Sequence, residues 1–177
     1  QIPPLIPKQK TRKKRFQKDT RLNARYSFEN FIEGRGNQLA KAAAESVAND
    51  PGQTPYNPLL IYSKTGLGKT HLLQAIGNYV VQHRNQIKTA YITSEKFVRD
   101  FISAILMNKS ADFATTYRNV NLLLLDDVQV FQGKKETQEQ FFHLFNDLYH
   151  DGKQIILTTD CHPSELTGLT ERLISRF

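Results

Sequence analysis

Apolar and polar positions along this chain follow two rhythms, one of period two and one of period three to four, and the chain switches between them repeatedly. Gln38 to Ala48 is alanine-rich, with Asn37 ahead of it and Asn49-Asp50-Pro51 behind, which predicts a helix that stops before a Pro51–Pro55 loop. Leu59-Leu-Ile-Tyr62 then reads as a buried strand and Lys69 to about Val81 as a helix. Thr89 to Thr93 is the next strand, and Ser94 is placed to cap a helix that carries Phe97, Phe101, Ile102 and Ile105 at helical spacing. A short helix over Ala111–Arg118 follows. The all-apolar run Leu122–Leu125 is what a strand inside a parallel sheet looks like, because both of its faces are covered. Glu136 to His150 is amphipathic and closes at Gly152, Gln154 to Thr158 is a further strand, and Pro163 and Glu171–Phe177 mark two short helical pieces. Strands alternating with helices predict an α/β domain with a mostly parallel sheet sandwiched between helices. There is no internal repeat.

Composition sharpens the boundaries. The 177 residues are 39% apolar, enough for one core, and the domain begins near Leu22 with the aromatic stretch Tyr26–Ile32. One cysteine, Cys161, excludes a disulfide framework and fits a reducing, cytoplasmic setting. No apolar run approaches the roughly 20 residues of a membrane span, and no charged-then-apolar leader opens the chain. A chain that starts at Gln1 rather than Met reads as a fragment. The net charge of +7 is unevenly spread: residues 1–25 hold nine Lys or Arg against Asp19 alone, while the rest holds 15 basic against 16 acidic side chains. Residues 1–21, with their prolines, read as a disordered basic linker that cannot bury a core. Non-specific attraction to nucleic-acid phosphates is the functional alternative.

The chemistry concentrates at two strand ends. Ser63-Lys-Thr-Gly66-Leu67-Gly68-Lys69-Thr70 lies between a strand and a helix, where a phosphate-binding Walker A loop belongs. Small residues let backbone amides wrap a phosphate, a lysine reaches the β and γ oxygens, and a hydroxyl serves magnesium. The first glycine of the consensus is replaced by Ser63, and a chance Gly-Lys-Thr at a helix start is the competing explanation. The strand Leu122–Leu125 runs into Asp126-Asp127, which suits a magnesium carboxylate, direct or through water, followed by a water-orienting base. Acidic turn residues are the alternative there. At the next strand tip Thr158-Thr159-Asp160 could touch the γ-phosphate or the attacking water, or simply cap the strand.

Several ordered segments together resemble the DnaA family of bacterial chromosomal replication initiators: Leu22 to Ile32, Asn57 to Tyr62, Gly66 to Leu72, Leu125 to Gln129 and Glu171 to Phe177. The resemblance covers about residues 22–177 and implies a P-loop NTPase core of the AAA+ type, truncated before the last strand, the lid and the helix-turn-helix that reads origin duplex. It implies an initiator that binds ATP or ADP with Mg2+, self-associates into an ATP-dependent filament on the origin, opens the duplex, and hydrolyses ATP slowly as a switch. It also implies contacts with single-stranded DNA through the core, with the replicative helicase and with acidic phospholipid, in the cytoplasm beside the nucleoid. By position, the resemblance puts Phe31, Ile32 and Asn37 on the adenine side, His71 beside the phosphates, and Asp160 at the sensor I site. Arg176 becomes the arginine finger that reaches a neighbour's γ-phosphate, with Arg172 at the same subunit interface; an exposed i,i+4 pair is the alternative reading. Ile102, Lys134 and Lys135 fall at the single-strand contact, against a core residue and two solvated loop lysines. Cys161 receives no role.

Two other functions compete. A helicase loader or transposition-helper ATPase shares both Walker motifs and the arginine segment. A regulatory module that holds nucleotide without hydrolysis is supported by Ser63-Lys64. In the initiator reading, the short Asp127, one methylene less than glutamate, predicts slow turnover, so that ATP acts as a timer.

Overall fold

The structure, a computed structural model, describes residues 21–177, so the basic linker lies outside the described residues apart from Arg21. The strands are β1 (Leu59–Tyr62), β2 (Thr89–Thr93), β3 (Leu122–Asp126) and β4 (Gln154–Thr159). All pair in parallel, in the order β1-β4-β3-β2. The helices are α1 (Gln38–Asn49), α2 (Lys69–His83), α3 (Ser94–Leu106), α4 (Ser110–Arg118), α5 (Lys135–His150) and α6 (Glu171–Ile174). The predicted sandwich of helices on a parallel sheet is what forms.

Period two along the strands sorts the core onto two faces. Ile61, Leu122, Leu124 and Ile156 pack under α1 and α2 together with Phe28 and Phe31. Leu123, Leu125, Ile155 and Leu157 pack against α3, α4 and α5. On that second face Phe97 meets Phe113, Tyr117, Phe131 and Phe141 at centroid separations of 5.1 to 5.8 Å, within the range of favourable ring contacts. Helix α2 sits unusually close to the sheet: a Cβ added at Gly77 would come within 2.6 Å of the Leu124 side chain. Leu124 is fully buried and has nowhere to retreat. Gly77→Ala is therefore expected to destabilise the fold by about 1–3 kcal/mol through overpacking, read as a shift in the denaturant midpoint.

Local chemistry differs from expectation at a few positions. The cap of α3 is Thr93, not Ser94: Thr93 is extended and its hydroxyl accepts from the Lys96 amide, while Ser94 is already the first helical residue. Helix α5 starts at Lys135, so only Lys134 precedes it. Its far end matches expectation, with the amides of Gly152 and Lys153 bonded to the carbonyls of Tyr149 and Leu148 and Gly152 at φ 67°. Within α3, Phe97 and Phe101 face the core, but Ile102 is 50% exposed, so the core alternative does not describe it. No helix among the described residues is long and apolar enough to cross a membrane.

Candidate nucleotide-binding site

In a parallel sheet every strand ends on the same edge, so the order β1-β4-β3 sets the Ser63 loop and Asp126 on either side of the β4 tip. The loop leaves β1 still attached to the sheet, the Ser63 amide donating to the Thr159 carbonyl at 3.3 Å. Gly66 and Gly68 take φ of 84° and 87°, a region closed to most side chains. Ser63 is not among the positive-φ residues, so its Cβ costs the loop no strain. That accounts for serine at a consensus glycine position. Gly68 also lies beneath Phe31, whose ring would stand 3.1 Å from an added Cβ.

Helix α2 begins directly after the loop with no side chain capping its N-terminus, which leaves oriented amides and a partial positive charge for an anion. The Lys69 ammonium is folded back onto the loop, donating to the carbonyls of Ser63 at 2.7 Å and Lys64 at 3.3 Å. Thr70 reaches across 56 residues of sequence to donate its hydroxyl to Asp126 Oδ2 at 2.8 Å. The two motifs are thus one site.

Asp126 is 2% exposed and saturated by hydroxyls. Besides Thr70, Tyr91 donates to Oδ2 at 3.2 Å and Thr158 donates to Oδ1. Burial, followed by the adjacent Asp126 charge, pushes the Tyr91 phenol well above its ordinary range, so it remains a donor. Asp127 sits at φ 61°, the left-handed region, at a cost of about 1 kcal/mol for a residue with a Cβ. Three bonds hold it there. Its amide donates to Thr158 Oγ1 at 2.9 Å, Gln129 Nε2 donates to its Oδ1 at 3.0 Å, and its carbonyl accepts from Val130 at 3.1 Å. Of the three strand-tip candidates, then, Thr158 enters the site. Thr159 belongs by alternation to the other face and is fully buried. Asp160 follows the β4 terminus, half-buried. Burial raises the neighbouring Cys161 thiol, which leaves it unactivated.

The donor set around Asp126 is a hydroxyl and a carboxylate, and no cluster of three or more His, Cys, Asp or Glu forms among the described residues. Hard oxygens in small number suit magnesium, which keeps several waters and takes its remaining ligands from phosphates. Beside the loop lies a cleft of about 230 Å³ lined by Phe31, Asn37, Ala40, Tyr62 and Leu67, among others. Asn37 also staples the loop before α1, accepting from the Gly34 amide at 2.8 Å and donating to the Ile32 carbonyl at 3.0 Å. Ile32 itself does not line the cleft, and its side chain is 88% exposed. Nor does the His71 imidazole: it donates to the Ser27 carbonyl at 2.8 Å and packs against Tyr26 and Phe31, fixing the aromatic entry segment to α2.

The remaining candidates lie on the surface. The guanidinium carbons of Arg172 and Arg176 stand 4.8 and 5.7 Å from the centroid of the Phe142 ring on α5, and Arg172 comes within 3.4 Å of Glu139. Arg176 lies beyond the end of α6, so the two do not form a pair on one helix face; what they share is the aromatic platform. Ile102 is continued by exposed Ile105, Leu106 and Met107 at the end of α3. That helix meets the Val128–Phe131 turn through Phe97 and Phe131, next to the α5 entry. There the Lys134 ammonium is bonded to the Val130 carbonyl at 2.6 Å and Lys135 is exposed. Tyr91, Gln129 and Phe142 are the site residues that motif reading does not assign, and Thr158 is one of three strand-tip candidates until its bonds single it out.

Comparison with known proteins fits this geometry. The family profile of the bacterial DnaA ATPase domain matches residues 22–177. The chromosomal replication initiator protein DnaA of Levilactobacillus brevis is 54% identical over 162 residues, which is 92% of this chain and 36% of that protein. The chain thus spans about a third of the length of such curated relatives. Domain III of the Thermotoga maritima replication initiation protein DnaA superposes with a TM-score of 0.85 at 49% identity, over 88% of this chain and 64% of that one. A replication initiator DnaA bound to AMPPCP and single-stranded DNA gives a TM-score of 0.84 at 44% identity, over 88% of this chain and 48% of that one.

Proposed function

The chain belongs to the bacterial DnaA ATPase domain family, and on that premise we propose that it is the nucleotide-gated core of a chromosomal replication initiator. The observation that carries the reading is the Thr70–Asp126 hydrogen bond, which joins a phosphate loop to a carboxylate pair at one strand edge. ATP or ADP enters with its phosphates on Gly66, Leu67, Gly68, Lys69 and the amides of α2, and its base in the cleft beside Phe31 and Asn37. The exposed Ile32 and the backbone of His71 border that ligand. Magnesium, held through Thr70 and Asp126, neutralises phosphate charge. Asp127 orients the attacking water, and Asp160 lies at the same edge to sense the γ-phosphate.

The site is composite. Arg176, steadied over Phe142 with Arg172 beside it, reaches the γ-phosphate of the next subunit, so that bound ATP couples to self-association. The exposed apolar end of α3, from Ile102 onward, and the α5 entry with Lys134 and Lys135 supply a contact for single-stranded DNA. The similar initiator carrying AMPPCP and single-stranded DNA supports both ligands. Origin duplex, the replicative helicase and acidic phospholipid are partners of the longer protein, in the cytoplasm beside the nucleoid.

Slow hydrolysis is expected, because the shorter Asp127 stands off its water and the arginine arrives only on assembly. Sedimentation of the full-length protein on single-stranded DNA, with ATP against ADP, tests the gating: assembly with ATP alone is the expected result, and equal assembly with both overturns it. Phosphate release read alongside should fall far below an ordinary enzyme rate of about 10 per second; turnover at that rate would contradict a timer.

A further inference from the structure

We propose that Thr158 is a positioning residue that binds the two carboxylates of the site into one unit and sets the aim of Asp127. Among the described residues, its hydroxyl is the one atom hydrogen-bonded to both acids. It donates to Asp126 Oδ1 and accepts from the Asp127 amide at 2.9 Å, while the residue itself is fully buried.

The arrangement follows from strand geometry. Ile156 and Leu124 belong to the face under α2. Period two carries Thr158 and Asp126 to that same face, with β3 and β4 paired side by side. A hydroxyl there stands beside its neighbour's carboxylate. It can also meet the next amide, because Asp127 turns into the left-handed region, at φ 61°. A hydroxyl donates one proton and accepts through its lone pairs, so threonine can do both at once and valine, of the same shape, can do neither. Without the hydroxyl, the half-buried Asp127 amide loses its partner and Asp126 Oδ1 loses a donor. The left-handed turn is then fixed only from its far side, by Gln129 and Val130. The carboxylate that must orient water becomes free to swing, while the phosphate loop on the other side of β4 is untouched. Thr158 accordingly acts on the hydrolytic step and not on nucleotide capture.

This rests on the hydrolysis reading above, and the experiment separates the two. In the full-length protein, Thr158→Val and Thr158→Ser are compared with the parent by single-turnover ATP hydrolysis, ATP titration and thermal melting, with Asp127→Ala as reference. Thr158→Val is expected to slow hydrolysis on the order of 10- to 100-fold while leaving the ATP Kd within about threefold, and Thr158→Ser to restore the rate. A purely structural role would lower the melting temperature and weaken ATP binding together with the rate, and that pattern overturns the proposal. So does a folded Thr158→Val that hydrolyses at the parental rate while Asp127→Ala does not. If Asp127→Ala is also silent, the hydrolysis reading itself fails. Should the valine variant melt below the assay temperature, Thr158→Ala decides by the same criteria.

Discussion

Replacing Lys69 with alanine is expected to weaken ATP binding by about 100- to 1,000-fold. A charge-assisted hydrogen bond contributes about 1.5–3 kcal/mol, and an ammonium at this position can serve two phosphate oxygens. The gain is not the full sum. Without ligand the ammonium already bonds the Ser63 and Lys64 carbonyls, so binding exchanges partners instead of making new ones. A net loss of about 3–4 kcal/mol corresponds to the stated range. The fold should survive, because Lys64 is exposed and Ser63 only half-buried, so water can take over those carbonyls. Nucleotide titration of the full-length protein, with circular dichroism as the folding control, reads the effect. Undiminished affinity in a folded Lys69→Ala removes the phosphate assignment.

Arg176→Ala is expected to abolish ATP-dependent assembly and with it the arginine's contribution to hydrolysis, about a thousandfold or more, the range in which arginine fingers act. Affinity of a single subunit for ATP should stay unchanged, because the guanidinium serves a neighbour's nucleotide. Arg176→Lys is expected to rescue poorly. The planar fork matches phosphate oxygens and also rests on the Phe142 ring, 5.7 Å away, and a point charge on a flexible stem does neither as well. Mixing experiments make the test sharp. A subunit carrying Arg176→Ala and one carrying Lys69→Ala should form one productive junction between them. If Arg176→Ala assembles with ATP as the parent does, the arginine-finger assignment is wrong.

Much of this architecture was legible before any coordinates. Each strand was visible because its apolar run is short and bounded by turn residues, and the site was visible because both motifs lie within a few residues of a strand end. What stayed hidden depends on register. Nothing local to Thr158 or Tyr91 says that either will meet Asp126; Thr158 lies 32 residues away and Tyr91 lies 35 residues away. The same holds for Phe142, one phenylalanine of an amphipathic helix until two arginines of a later segment come to rest on it. His71 divides between backbone and side chain. Its place beside the phosphate loop suits at most a backbone contact to phosphate, while its side chain points outward from the helix axis and finds Ser27. At Thr93 and Ser94, either residue could cap from sequence, and only the extended backbone of Thr93 decides.

The strand order has a consequence for how this region comes into being. β2 and β3 can pair as soon as both are synthesised, but β1, the first strand of the described residues, finds among them only β4 as its partner in this sheet. Until residues 154–159 have left the ribosome, no strand joins the phosphate loop's strand to that of the carboxylates. Such a long-range pairing is slow to close, and it closes once. A nascent chain therefore carries its phosphate loop as an unfinished half until β4 emerges, and competence for nucleotide arrives abruptly, when that strand slots between two earlier ones.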